Sequence, residues 1–176
     1  MKRAECTSLE SFQAGLTWEL ILKRREALRK AFSNFEPAKI AKYREKDVTR
    51  LLSNPEVIRN QAKIFSTINN ACKFSDIRRG FGSFDAFIWS FVGGRTIDHA
   101  LKDYSQLPPE SEDSRAMSKE LKKRGFKFVG PTICYSFMQG AGLVNDHLTY
   151  CFRYKQIREL THGSRKKGRG LADDFK

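Results

Sequence analysis

The sequence contains no apolar run approaching the roughly 20 residues that a membrane-spanning helix requires. Its opening stretch, MKRAECTSLE, lacks the apolar segment of a secretion signal. The expected location is therefore the cytoplasm, with no membrane partner. Cysteine is scarce: Cys6, Cys72, Cys134 and Cys151 are the four, with no Cys-x-x-Cys among them. That excludes a self-contained zinc finger. In a chain long enough to bury a core, it also argues for reduced thiols over disulfide staples. Strand-like alternation is missing too. Acids are few relative to bases: 20 Asp and Glu stand against 33 Lys and Arg, a formal net charge of +13 with a pI near 9.8. Net charge says nothing of fold, but it selects polyanionic partners, of which nucleic acid is the commonest.

What is present reads as one ordinary helical domain. The chain has 176 residues, 40% hydrophobic and 12% aromatic, enough for a single core. Trp18, Ile21, Leu22, Leu28 and Phe32 recur at helical spacing, with Lys23, Arg24, Arg25 and Arg29 on the other face. Pro37 suits the first turn of a short helix through Ile40, and Asp47 is a candidate cap for a helix carrying Val48, Leu51 and Leu52. Residues 56–79 predict the longest helix, with Val57, Ile58, Ala62, Ile64, Phe65 and Ile68 inward and Gly80 and Gly82 as its stop. Phe84, Phe87, Ile88, Trp89 and Phe91 predict an apolar helix ended by Gly93 and Gly94. Residues 102–113, with a Pro-Pro pair and four carboxylates, read as an exposed connection. Ser114 is the expected cap of the next helix. Residues 1–151 form the predicted domain, and 152–176 a mobile basic tail containing GSRKKGRG.

One stretch carries chemistry on its face. In 114–140 a helix ends in LKKR, a turn runs from Gly125 to Gly130, and a second helix opens at Pro131. This is a helix-hairpin-helix. Gly125 suits a left-handed C-cap. Gly130 lets a ligand approach the backbone where the second helix presents its first N–H groups and the positive end of its dipole. From Arg115 to Lys127 six cations (Arg115, Lys119, Lys122, Lys123, Arg124, Lys127) oppose one acid, Glu120, for a net +5. A helix–glycine–helix joint is by itself an ordinary tight turn. Charge of this density makes a DNA phosphate the expected ligand, with Lys122, Lys123, Arg124, Gly125, Lys127 and Gly130 as the contacting residues.

Two motifs extend the reading. LKKRGFKFVGPTICYSFMQGAGLVNDH (121–147) closely resembles the bacterial 3-methyladenine DNA glycosylase I family, and LESFQAGLTW (9–18) resembles that family's Leu-Glu-x-x-Gln-Ala-Gly-Leu-Ser-Trp segment. KRREALRKAF (23–32) and VIRNQAKI (57–64) match in register. The similarity covers most of residues 5–151. It implies an all-α helix-hairpin-helix DNA glycosylase fold acting in base excision repair as a monomer on damaged double-stranded DNA at the bacterial nucleoid. By the resemblance, Glu10 is the catalytic and base-reading carboxylate and Trp18 flanks the base. Gly15 and Leu16 approach the gap left by flipping, and His147 and Cys151 are two of the ligands of a structural zinc. Asp146 is an alternative carboxylate, because many helix-hairpin-helix glycosylases use an Asp after the hairpin.

The same resemblance implies a preceding segment that supplies a Cys and a His for zinc and aromatic residues for the pocket. This sequence does not contain it, and Cys6 is in the wrong register to replace the missing Cys. The zinc site is thus expected to be incomplete and the pocket open on one side. Three outcomes remain in view: a glycosylase, a non-catalytic DNA-binding module, and a remnant with no stable fold.

Overall fold

The computed structural model describes residues 3–163. Among them the helices are α1 (Arg3–Gln13), α2 (Trp18–Ala31), α3 (Pro37–Ile40), α4 (Glu45–Ser53), α5 (Gln61–Phe81), α6 (Phe84–Trp89), α7 (Glu112–Lys123), α8 (Pro131–Gly140) and α9 (Phe152–Gly163). The all-α class holds. The one addition is a parallel pairing of two-residue strands, Ile97–Asp98 (β1) with Val144–Asn145 (β2). Two residues are too few to leave an alternating pattern in sequence.

The apolar side chains form two clusters that meet along α1 and α5. One holds Leu9 and Phe12 of α1, Ile21 and Leu28 of α2, Phe32, Phe35, Leu51 and Ile64. The other holds Cys6, Phe74, Ile77, Phe84, Phe87, Met117, Leu121, Phe126, Cys134, Phe137 and Met138. The second cluster glues α7 to α8 and places the hairpin between them.

Several expectations need correction. The longest helix begins at Gln61, not at residue 56, and runs through Gly80 to Phe81. Its inward face differs as well. Ala62 and Phe65 are exposed, while Lys63, Ser66, Thr67 and Asn70 are buried. The reason is polar: these side chains find buried backbone partners, described below. The cap of α7 is Ser111, whose hydroxyl accepts from Ser114 N–H at 3.1 Å, while Ser114 Oγ accepts from Ser111 N–H at 2.9 Å. Asp47 plays the same reciprocal part in α4, where its carboxylate accepts from Arg44 N–H at 3.0 Å rather than serving as the cap.

The tail expected from Phe152 onward begins instead as helix α9. Tyr154 and Arg158, one turn apart, share a face that meets β1: the Tyr154 hydroxyl donates to Asp98 Oδ2 at 3.1 Å, and Arg158 Nε lies 3.7 Å from the same oxygen. GSRKKGRG lies outside the described residues but for its opening glycine.

Candidate active site and DNA interface

α1 carries Glu10 into the seam between the two clusters. Its side chain is buried at 4% exposure, and its Oε2 has no hydrogen-bond partner. Burial in apolar surroundings pushes the carboxyl up from 4.5 to about 7, while a side-chain hydrogen bond with Ser136 pulls the other way. Gly140, one turn beyond Ser136 on α8, borders the same group: a Cβ there would sit 3.6 Å from Glu10 Oε1 and 3.5 Å from Cys6 Sγ. Gly140 also lines a cleft of about 240 Å³ whose walls include Trp89, Gln139, His147 and Arg153. The thiol of Cys6 is pushed up to about 12, chiefly by burial, so it is no competing anion.

Asp146, the alternative carboxylate, is differently placed. Its side chain is 5% exposed, and its oxygens are fully engaged. Oδ2 accepts from the Tyr135 hydroxyl and from Gln139 Nε2, both at 2.8 Å, and Oδ1 meets His99 Nδ1 at 2.5 Å. The β1–β2 pairing brings His99 there, with its N–H on Asn145 O. Asp146 therefore ties α8, β2 and the segment after β1 together, whereas Glu10 keeps one oxygen without a partner.

The hairpin is built as its glycines suggest. Gly125 has φ +82°, the left-handed C-cap. Phe126 N–H returns to Leu121 O at 3.0 Å and Gly125 N–H to Lys122 O at 2.9 Å, a Schellman closure in which Phe126 packs with Leu121. Gly130 caps α8 with φ −63°, no side-chain cap and no atom within 4 Å of where its Cβ would stand. Its backbone makes no demand for glycine, and the space where a side chain would stand is open. Lys122, Lys123 and Lys127 are exposed. Arg124 is turned inward: it pairs with Glu120 at 2.7 Å and lies over the rings of Phe81 and Phe87 at 4.9 and 5.3 Å.

The remaining expected residues are more scattered. Gly15 turns the chain after α1 with φ +75°. Leu16 is partly buried against the first cluster rather than projecting freely. Trp18 opens α2 and is 38% exposed. His147 Nδ1 and Cys151 Sγ stand 3.9 Å apart. A closed structural zinc takes four donors. Among the described residues no group of three His, Cys, Asp or Glu could hold a metal. Among the described residues, His147 and Cys151 alone do not fit a four-ligand zinc. Sequence reading missed Ser136, Gly140 and the Asp146 partners, because only the packing of α8 reveals them.

A buried carboxyl with one oxygen unsatisfied and its pKa raised by desolvation, together with the hairpin, points to a helix-hairpin-helix protein of the enzyme class. Comparison sharpens the class. The chain belongs to the methyladenine glycosylase family, whose sequence profile matches residues 3–154. It is 45% identical over 153 residues to DNA-3-methyladenine glycosylase 1 of Escherichia coli, covering 87% of this chain and 82% of that one. It is 44% identical over 150 residues to DNA-3-methyladenine glycosylase of Haemophilus influenzae, covering 85% and 81%. A crystal structure of 3-methyladenine DNA glycosylase I superposes with a TM-score of 0.83 at 47% identity, covering 85% of this chain and 82% of that one. The Staphylococcus aureus glycosylase, solved to explain its recognition of 3-methyladenine, does so with a TM-score of 0.83 at 37% identity, covering 85% and 80%.

Proposed function

We propose that this chain is a DNA-3-methyladenine glycosylase of base excision repair, and that Glu10 is the residue on which base removal depends. The observation that carries the residue assignment is the buried Glu10, with Oε2 unsatisfied and Oε1 against Gly140, a residue of the cleft wall. Methylation at N3 makes adenine cationic, so the base is already a good leaving group and needs no protonation. An ionised Glu10 accepts hydrogen bonds from the base edge and favours the cation, while Trp18 offers an aromatic face. The bond between the base nitrogen and the sugar C1′ breaks with its electron pair leaving on the base, which departs neutral, while water gives its hydroxyl to C1′ and its proton to solvent, leaving an abasic sugar.

DNA is the partner. The form proposed is damaged duplex, held by the α8 N-terminus, Lys122, Lys123 and Lys127 at the hairpin and by the turn at Gly15–Leu16, with one chain acting alone in the cytoplasm. A zinc on His147 and Cys151 would need two further donors. The second reading, duplex binding without base release, draws on Trp18, which at 38% exposure is not enclosed as a base-flanking wall would be.

The deciding experiment is release of free 3-methyladenine from alkylated duplex, quantified by chromatography, with Glu10→Ala alongside. Loss of about 100-fold or more in the variant is expected. Equal release by both proteins removes Glu10 from its role, and no release by a folded wild type that binds duplex leaves the second reading.

A further inference from the structure

We infer that a buried polar seam on α5 is the positioning device that holds the two DNA-facing turns, Gly15–Leu16 and the hairpin, in fixed relation to each other. The inference rests on the proposed roles of those two turns.

Lys63, Ser66, Thr67 and Asn70 fall at helical three- and four-residue steps on one face of α5, and all four are buried. A buried ammonium is costly unless fully hydrogen-bonded. Lys63 Nζ donates to Phe12 O at 2.7 Å and also to Ala14 O. These are open carbonyls at the C-terminal end of α1, which has no basic residue of its own in its last turn. Ala14 directly precedes Gly15. Gln13 closes the other side of the turn, donating from Nε2 to Leu16 O at 2.8 Å. The ammonium thus fastens both the end of the Glu10 helix and the turn that follows it.

Two turns along the same face, Asn70 grips the hairpin. Its Oδ1 accepts from Lys127 N–H at 2.8 Å and its Nδ2 donates to Lys127 O at 2.9 Å, so one amide holds one residue's backbone in both directions. Asn69 Nδ2 adds a bond to Gly125 O at 2.8 Å. The backbone of Lys127 is held in place while its side chain faces outward. Between the two grips, the Ser66 and Thr67 hydroxyls donate back to Lys63 O at 2.8 and 2.9 Å. A straight helix separates positions 63 and 70 by roughly 10 Å along its axis. Apolar side chains would pack this face as well. Only directed donors and acceptors index two separate turns to one rigid helix.

Three variants test the seam: Lys63→Met, its conservative counterpart Lys63→Arg, and Asn70→Ala. Each is assayed for thermal unfolding, duplex affinity and single-turnover base release at saturating protein. Folded Lys63→Met is expected to release base about tenfold more slowly with duplex affinity within roughly threefold of wild type, and Lys63→Arg to recover most of that rate. Asn70→Ala is expected to reverse the split, weakening duplex binding about tenfold with a nearly unchanged rate at saturation. Rate and affinity falling together in both variants, only as far as the unfolded fraction explains, would overturn the seam as a positioning device. So would a folded Lys63→Met with wild-type rate. If no Lys63 variant folds, Asn70→Ala decides alone. If wild type releases no base, the glycosylase reading fails separately, and the seam stands or falls on the loss of duplex binding in Asn70→Ala.

Discussion

Glu5 and Glu10 sit on the same helix, and both are almost fully buried, at 3% and 4% exposure. Their surroundings differ completely. Glu5 faces α2, where Arg25 Nε donates to its Oε1 at 2.9 Å and Arg29 Nε stands 3.8 Å away. Glu10 faces α8, where Ser136 gives it one hydrogen bond, Oε2 goes without a partner and no salt bridge reaches it among the described residues. A carboxylate that only holds a fold together is given its counter-charge by the fold. Without a counter-charge, desolvation by burial raises the Glu10 carboxyl to about 7.

The largest effect separating the two acids is expected in the pH dependence of base release. On the proposed role Glu10 must be ionised to favour a cationic base, so kcat/KM should fall on the acid side of about pH 7, by roughly 50-fold between pH 7 and pH 5. Correction for spontaneous depurination is read from a protein-free control. In Glu10→Gln the acid limb should vanish. A limb that survives in that variant would transfer the titration to another group.

Next comes the partnered acid. Arg25→Met leaves Glu5 with only the more distant Arg29, and should cost about 2–3 kcal/mol in denaturant unfolding, less than a fully buried pair because Arg25 is partly exposed. No loss would mean that Glu5 needs no partner and would dissolve the contrast.

The smallest effect runs the opposite way. The folded-state pKa of Glu10 lies above its unfolded value, so between pH 4.5 and about 7 the folded chain keeps a proton that the unfolded chain releases. Stability therefore falls as pH rises through that window. The full shift corresponds to about 3 kcal/mol. Glu10→Gln escapes it but buries unpaired amide donors, leaving a net gain of about 1–2 kcal/mol at pH 8 that disappears below pH 4.5. Thermal melts of both proteins at the two pH values check this.

Much of this was legible in advance, and the limits are instructive. The Schellman closure at Gly125 and the start of α8 at Pro131 follow from local chemistry: a residue free to take positive φ, and one that lacks an N–H. On α5, apolar periodicity alone does not give the inward face, which includes four buried polar side chains. Lys63 and Asn70 are inward through backbone groups 49 or more residues away in sequence. Arg124 reads as one more cation beside three lysines, yet Phe81, Phe87 and Glu120 claim it.

The sequence by itself determined the helical class, the hairpin, the family and the identity of Glu10 as the acid to watch, because these rest on local propensities and contiguous motifs. Only the tertiary structure decided which acids are partnered, which cations are free and what α5 turns inward. Those are properties of long-range contacts. Burial sets the charge state of Glu10, and burial arises only when α1 and α8, more than a hundred residues apart, close on each other.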